Sequence, residues 1–592
     1  MPDSKQTHRY SSLALRILAI APACYIAILI FKYSVNVPQW DEWDLAIYFE
    51  KFAHHTLSLA DLFQQNNEYR QFFPNLIFVG LSRLTNGDVR YDMLVSFLLA
   101  CLISFNVYQL GKNTIKGGTR QGLWIYFAAN LLIFSPVQYE NWFQGQQLIY
   151  FAPVACLTTG LSFATSARLR LETRFLLCAV LSFVSTFSAA NGILCFALLL
   201  PVLVWPSAKS DFSGRRWLVV GWLSALAFSA CLYFYHYRKP PNNPPLTEIV
   251  VQWQRAPVYF LTLLGGPFGL RKLPIAFAVG LILFSLFGWC CWQMWRLRSD
   301  RSVAPGVIAW LALAIYSLGT AVLITVGRLG FGVEQALAPR YTTFVIYLPV
   351  ALVYLLPIIR VTGEHSSGRF INKLADLPIA RLTACVIIVA SLPTYLYATR
   401  CVSGYRTKLL RDKACLLFIN TMADPCAKEL QLDIARLQVN ASRFDRLGFL
   451  SPPLVRSSQM SDIAGKPQSD PGAYGSFEQL TEVGADRYQA SGWATLPQRG
   501  ESADAVILSL AYPDSSDSVF TFAILESQRH TPFNLLRGST LDDGRWRQEF
   551  SLARPASGQV KVSAWAFDSL TGKAYRLAGI HYIAQSAVAA QR

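Results

Sequence analysis

Long apolar runs recur through the first two thirds of this chain, and they limit the architectures open to it more than any other feature. A membrane-spanning helix takes roughly 17–25 mostly apolar residues. Runs of this kind fall at about 12–35, 91–110, 121–137, 148–166, 176–190, 192–206, 217–235, 273–295, 305–327, 341–360 and 381–398, about eleven in all. Two of them, 176–190 and 192–206, are short and share the polar joint SAANG, which predicts a helical hairpin. Of the 592 residues 53% are hydrophobic and only 15% are charged. That balance excludes one soluble globule of this size and predicts a polytopic α-helical membrane protein carrying a soluble appendage. The first run follows a basic lead and lacks a small-x-small cleavage site, so it reads as a retained span.

The charges order these runs in a bilayer. Lys and Arg number 53 against 36 Asp and Glu, a net charge of +17. The surplus lies in every second loop: GKNTIKGGTR, ARLRLETR, SAKSDFSGRR, RLRSDR and the stretch 360–381. This is the positive-inside pattern, so it reports orientation and calls for no nucleic acid partner. The alternate loops, 36–90, 138–147, the Asn191 joint, 236–272 and 328–340, then face outward. With an odd number of spans the amino terminus is cytoplasmic and the carboxyl-terminal part extracytoplasmic, as in a bacterial inner-membrane protein. Two further apolar segments, 73–90 and 256–270, read as interfacial or re-entrant helices; the second is interrupted by Gly265, Gly266 and Pro267.

Three regions follow from these patterns: a membrane domain over 1–398, a helical segment and linker over 399–475, and an all-β, sandwich-like domain over 476–592. In the last, RYQASGWATL, AVILSLAYP, VFTFAILE, RWRQEFSLA, QVKVSAWAFD and AYRLAGIHYI alternate with turn residues. Trp493, Trp546 and Trp565 read as packing residues of that domain. Nine of the twelve cysteines sit in apolar runs; Cys415 and Cys426 lie beyond the last span, where pairing and free thiols are both open. The chain carries no P-loop, dinucleotide fingerprint, Gly-x-Ser-x-Gly elbow or metal-ligand spacing.

The outward loops collect unusual polar residues. PQWDEWDL supplies Asp41, Glu42 and Asp44 between Trp40 and Trp43, and QQNNEYRQFFPN supplies Glu68 and Arg70. SPVQYENWFQGQQ supplies Glu140, Asn141, Trp142 and Gln146; the SAANG joint supplies Asn191; and GRLGFGVEQALAPRYTTF supplies Arg328, Arg340 and Tyr341. Carboxylates accept protons, arginine forks match phosphate oxygens, and amides and aromatic faces suit sugars. Arg328 and Arg340 also run against the positive-inside rule, which raises their functional weight. Bland roles stand beside these: a helix start for the acids, belt aromatics for the tryptophans, and a Glu68–Arg70 pair.

The WDEWD opening of the first outer loop, the later NNEYRQFFPNL and the APRYTTF ahead of a late span resemble the GT-C superfamily of integral-membrane glycosyltransferases. The resemblance is to its bacterial branch that modifies O-antigen and other surface glycans, such as lipopolysaccharide. It covers the layout of roughly the first 400 residues. It implies a sugar donor on polyprenyl phosphate, a glycan or lipid acceptor, and surrounding membrane lipids. It further implies an inverting displacement with Asp41 as the base and Asp44 as the alternate, and Glu42 as a neighbour that orients or tunes. Arg340, then Arg328, would steady the departing phosphate. Many members of the superfamily work without metal and some use a divalent cation, so the resemblance implies no certain cofactor and leaves a divalent cation open. Two other classes remain at this point: a polysaccharide polymerase or ligase, and a transporter or flippase of lipid-linked sugars.

Overall fold

The computed structural model describes residues 4–115, 119–204, 216–241, 243–296, 304–364, 379–421, 430–431, 433–466, 471–513, 515–523, 525, 544–553 and 559–584. Among these residues, eight helical stretches are long and apolar enough to cross a membrane: Leu13–Tyr33, Arg90–Thr114, Gly145–Ala164, Arg216–Phe234, Leu273–Arg296, Val307–Phe331, Pro339–Ile359 and Leu382–Leu417. This is the make-up of a polytopic helical membrane protein. It falls short of the eleven spans expected from the runs alone. The runs at 121–137, 176–190 and 192–206 form shorter helices, Thr119–Ile133, Leu171–Thr186 and Leu194–Val204. Tight 3-10 turns at Pro136–Gln138 and Ala190–Ile193 cut them off, so apolar sequence continues where helix does not.

The chain divides into two units. The first comprises 1–34, 55–81 and 89–403; the second comprises 35–54, 82–88 and 404–592. The first unit holds the long helices. Their outward faces carry apolar stripes, such as Leu94, Leu98, Leu102 and Phe105 on one helix and Val386, Val389, Leu392 and Leu396 on another. Such stripes are lipid-facing surface in a membrane and unsatisfied surface in water. Inward faces are tied by amides. Asn106 donates to Thr158 and Thr159 across helices, and Asn130 donates to the Ala19 carbonyl at 2.7 Å. Interhelical hydrogen bonds of this kind are the usual glue where no water competes. The segment expected to interrupt itself at Gly265 does so: helix Ala256–Gly265 folds back along Leu273–Arg296. A Cβ on Gly265 would stand 1.9 Å from the Ala276 carbonyl oxygen, and one on Gly280 1.8 Å from that of Leu261. Only glycine permits that approach.

Among its described residues the second unit contains nine strands: β1 (Gly475–Gly484), β2 (Arg487–Leu496), β3 (Glu501–Ser502), β4 (Ala505–Ala511), β5 (Ser518–Ala523), β6 (Arg545–Ser551), β7 (Gln559–Asp568), β8 (Lys573–Arg576) and β9 (His581–Ala584). One sheet runs β1-β2-β3 with β6 on β2; the other runs β5-β4-β7-β8 with β9 on β7. Tyr488, Ala490 and Trp546 of the first sheet share a core with Val506, Leu508, Val560 and Val562 of the second. Trp546 is a core residue, as its sequence setting predicts. The outer face of the second sheet is also covered, by Ala414, Leu417 and Phe418 at the end of the long helix Ile379–Leu417. Cys415, on that helix end, is disulfide-bonded, while Cys426 lies outside the described residues. Arg499 joins the buried carboxylates of Asp504 and Asp568, each at 2.9 Å, and pins the β3–β4 and β7–β8 turns together.

Candidate functional site

Two groups of polar side chains stand out, one in each unit. The acidic turn belongs to the second. Trp40–Leu45 is a 3-10 turn that leads into helix Ala46–Ala53. Helix Ile434–Arg446 holds it from the side. Trp43 and Phe49 set their rings edge-on against Phe444 at 5.3 and 5.6 Å, and Arg443 and Arg446 both pair with Glu50. The Trp40 N–H donates to the Leu430 carbonyl at 3.0 Å. That bond fixes Trp40 at φ 51°, a left-handed conformation rare for an aromatic residue, with its side chain exposed.

The three acids of the turn do different things. Glu42 is 2% exposed, and its carboxylate accepts the Gln39 N–H at 2.7 Å in a capping box. Its carboxylate thus caps the turn that carries Asp41 and Asp44. Asp44 is half-buried and pairs with Arg436 at 2.7 Å. Burial lifts its carboxyl to about 6; Arg436 pulls against that rise and the neighbouring Asp41 adds to it. Asp41 is partly exposed, and among the described residues no donor or cation engages it. Among the described residues no three His, Cys, Asp or Glu side chains gather as a metal site would require.

The second group lies in the first unit, in the loops between helices. Arg328 pairs with Glu68 at 2.7 Å and donates to Asn243, which itself donates to Glu68 at 2.7 Å. Burial lifts the Glu68 carboxyl above its ordinary value, against the pull of Arg328 and Lys239. The sequence offered Arg70 as the partner of Glu68, or as a ligand contact; it is neither. Arg70 is buried and donates to the carbonyls of Tyr233, Phe63 and Tyr235, closing the carboxyl end of helix Arg216–Phe234. Arg340 pairs with Glu140 at 3.3 Å and stands beside Tyr341, which is buried.

The remaining expected contacts are structural. Asn141 donates to the Arg340 carbonyl at 2.8 Å and to Thr343 at 2.6 Å, locking the loop that presents Arg340. Trp142 is fully buried, ring against Phe151, with its N–H on the Ser135 carbonyl; no sugar can reach its face. Gln146 is buried too. Asn191 gives its amide to Tyr316 and Thr320 inside the helix bundle. Two features escaped the sequence reading. Arg436 sits in a segment that reads as an ordinary charged helix, and Trp40's strained backbone has no signature in residue type.

Together these features define a class: a helical membrane protein with a β-rich carboxyl-terminal region, arginines in the loops between its helices and an acidic aromatic turn. Beyond that class, no family model, no curated protein and no solved structure matches the chain.

Proposed function

We propose that the chain is a glycosyltransferase of the bacterial cytoplasmic membrane. It moves a sugar from a polyprenyl-phosphate donor to a surface glycan or lipid acceptor, O-antigen included, on the outer face. The observation that carries this reading is the contrast within one turn. Asp41 is uncommitted and reachable, while Asp44 beside it titrates near 6. A sugar hydroxyl is a poor nucleophile and needs a carboxylate to take its proton as the new bond forms. Asp41 takes that role, Asp44 is the alternate, and exposed Trp40 offers a face to the acceptor sugar. Displacement from the far side of the anomeric carbon inverts it and releases the lipid phosphate. Arginine is suited to that developing charge. Arg340 and Arg328 are the candidates, each exchanging its carboxylate partner for phosphate.

The reading needs the acids and these arginines to share one aqueous compartment, and chain parity supports it. The reading takes the segments of the second unit, tied by the Asp44–Arg436 and Glu50–Arg443 pairs, to lie on one side of a bilayer. The chain then crosses an even number of times between 88 and 404. All but the first of the eight long helices fall in that interval, so an odd number of the shorter helices crosses as well. Eleven crossings, with Thr119–Ile133, Leu171–Thr186 and Leu194–Val204 added, meet this condition.

Mass analysis of surface glycans from cells with and without the chain tests the reading. A missing side-branch sugar supports transfer, while an altered chain length alone indicates a polymerase. Asp41→Asn is expected to lower transfer by about 10²–10⁴-fold. Full transfer in both Asp41→Asn and Asp44→Asn overturns it.

A further inference from the structure

A cluster of exposed apolar side chains lies outside the long helices of the first unit, on the segment between helices Arg216–Phe234 and Ala256–Gly265. Leu246, Val250, Val251 and Trp253 are each more than half exposed, in and around the short helix Glu248–Val251. Apolar surface gathered in this way marks a place where something else packs. The polar side chains among them bond to one another: Gln252 donates to Glu248 at 2.6 Å, and Arg255 donates to Gln252 at 3.4 Å.

Contacts with the long helices fix the depth of the segment. A Cβ on Gly330 would stand 2.5 Å from the Pro244 side chain and 3.2 Å from that of Glu248, so this part sits beside the end of the span Val307–Phe331. Beyond it, helix Ala256–Gly265 runs antiparallel to Leu273–Arg296. Gly265 meets Ala276, Leu261 meets Gly280, and the Phe260 ring stands 5.7 Å from that of Phe284. The start of the shorter helix is therefore level with the middle of the longer one. The exposed cluster lies within the thickness that the spans cross. It also adjoins lipid-facing surface. Exposed Phe331 follows exposed Val322 and Leu323 on one span, and exposed Phe234 ends another. A soluble partner would have to enter the lipid to reach it.

We propose that residues 244–255 form a strap bedded in lipid at one surface of the bilayer. Leu246, Val250, Val251 and Trp253 lie among the acyl chains, and Arg255 reaches back to the headgroups. The other end of the segment is tied to polar groups. Asn243 bonds both Glu68 and Arg328, and Gln65 engages the N–H and the carbonyl of Arg238. The strap thus runs from lipid to the Glu68–Arg328 pair, and its seat holds Asn243 against that pair. The seat stands without the glycosyl-transfer reading; its bearing on the reaction, through Arg328, rests on that reading.

Photocrosslinking of the full chain tests it. Val251 is replaced by benzoylphenylalanine, with Leu98 replaced separately as a lipid-facing reference and Tyr512, an exposed residue of the β-rich region, as a reference away from lipid. Each variant is reconstituted in vesicles of phosphatidylethanolamine and phosphatidylglycerol, irradiated and read by mass spectrometry. Lipid adducts are expected at position 251 in a yield comparable to that at position 98, with none at position 512. Val250→Asp combined with Trp253→Asp removes two apolar contacts and leaves the probe in place. It is expected to lower the lipid adduct at position 251 by about tenfold or more. Adducts to protein at that position, from a second copy or from another segment of the chain, overturn the proposal, as does the absence of lipid adducts. A yield unchanged by the double substitution overturns it too. Adducts form without turnover, so a chain that transfers no sugar still reports the seat, and the two readings fail separately.

Discussion

At the scale of single residues, neighbours in sequence have parted company. Glu42 and Asp44 are two positions apart, yet one caps a turn and the other titrates near neutrality. If ionised Asp44 serves the reaction, activity rises through about pH 6 and levels above it; a rate profile over pH 5–8 reads this, and Asp44→Asn removes the limb. The sign for stability is opposite. The folded carboxyl is raised above its ordinary value of 3.8, so its contribution is full below that value and is lost as pH rises through about 6. Glu42→Ala removes a buried cap and is expected to cost about 1 kcal/mol, seen as a lower melting temperature. Arg70→Met is expected to cost more, about 3 kcal/mol, because three carbonyls lose a charged donor. Arg70 and Arg340 look alike in sequence, each an arginine next to a tyrosine between apolar runs. The partners of Arg70 include a carbonyl 163 residues away, which no local pattern announces.

At the scale of elements, helix Ile434–Arg446 joins the acidic turn through Arg436, Arg443 and Arg446. Arg436→Gln removes the cation that holds Asp44 down. The acid limb of the rate profile is expected to move to higher pH, while a variant of distant Arg487 leaves it in place. The hairpin of Ala256–Gly265 and Leu273–Arg296 depends on Gly280. Gly280→Leu is expected to separate the two helices and lower the thermal stability of the purified chain. Strand β2 and strand β7 keep the bounds that alternation predicts, because one face of each is buried. Strand β1 escaped notice. It lies at a sheet edge with most of its residues exposed, so FEQLTEV carries too few apolar positions to alternate.

At the scale of the whole molecule, the unit boundaries do not follow chain order. Residues 35–54 belong with 404–592, whereas the sequence divides naturally at 398, where apolar character fades. The helix Ile379–Leu417 runs straight through that point. The odd-parity reading predicts that single cysteines placed at His55 and Lys573 are labelled from the same side of sealed membranes by an impermeant thiol reagent. Labelling from opposite sides would remove the shared compartment on which the proposed chemistry depends.

By itself the sequence determined that this chain is a membrane protein, where its long helices run and that a β-rich region follows. Those properties depend on hydrophobic content and period over a short window, and burial acts on each window separately. Which polar groups are free was decided by tertiary structure alone. In the sequence one arginine looks like another and one acid like another, and whether a charge is spent depends on partners from three to more than a hundred residues away. Folding committed Glu42, Arg70 and Asn191 to the scaffold and left Asp41 open.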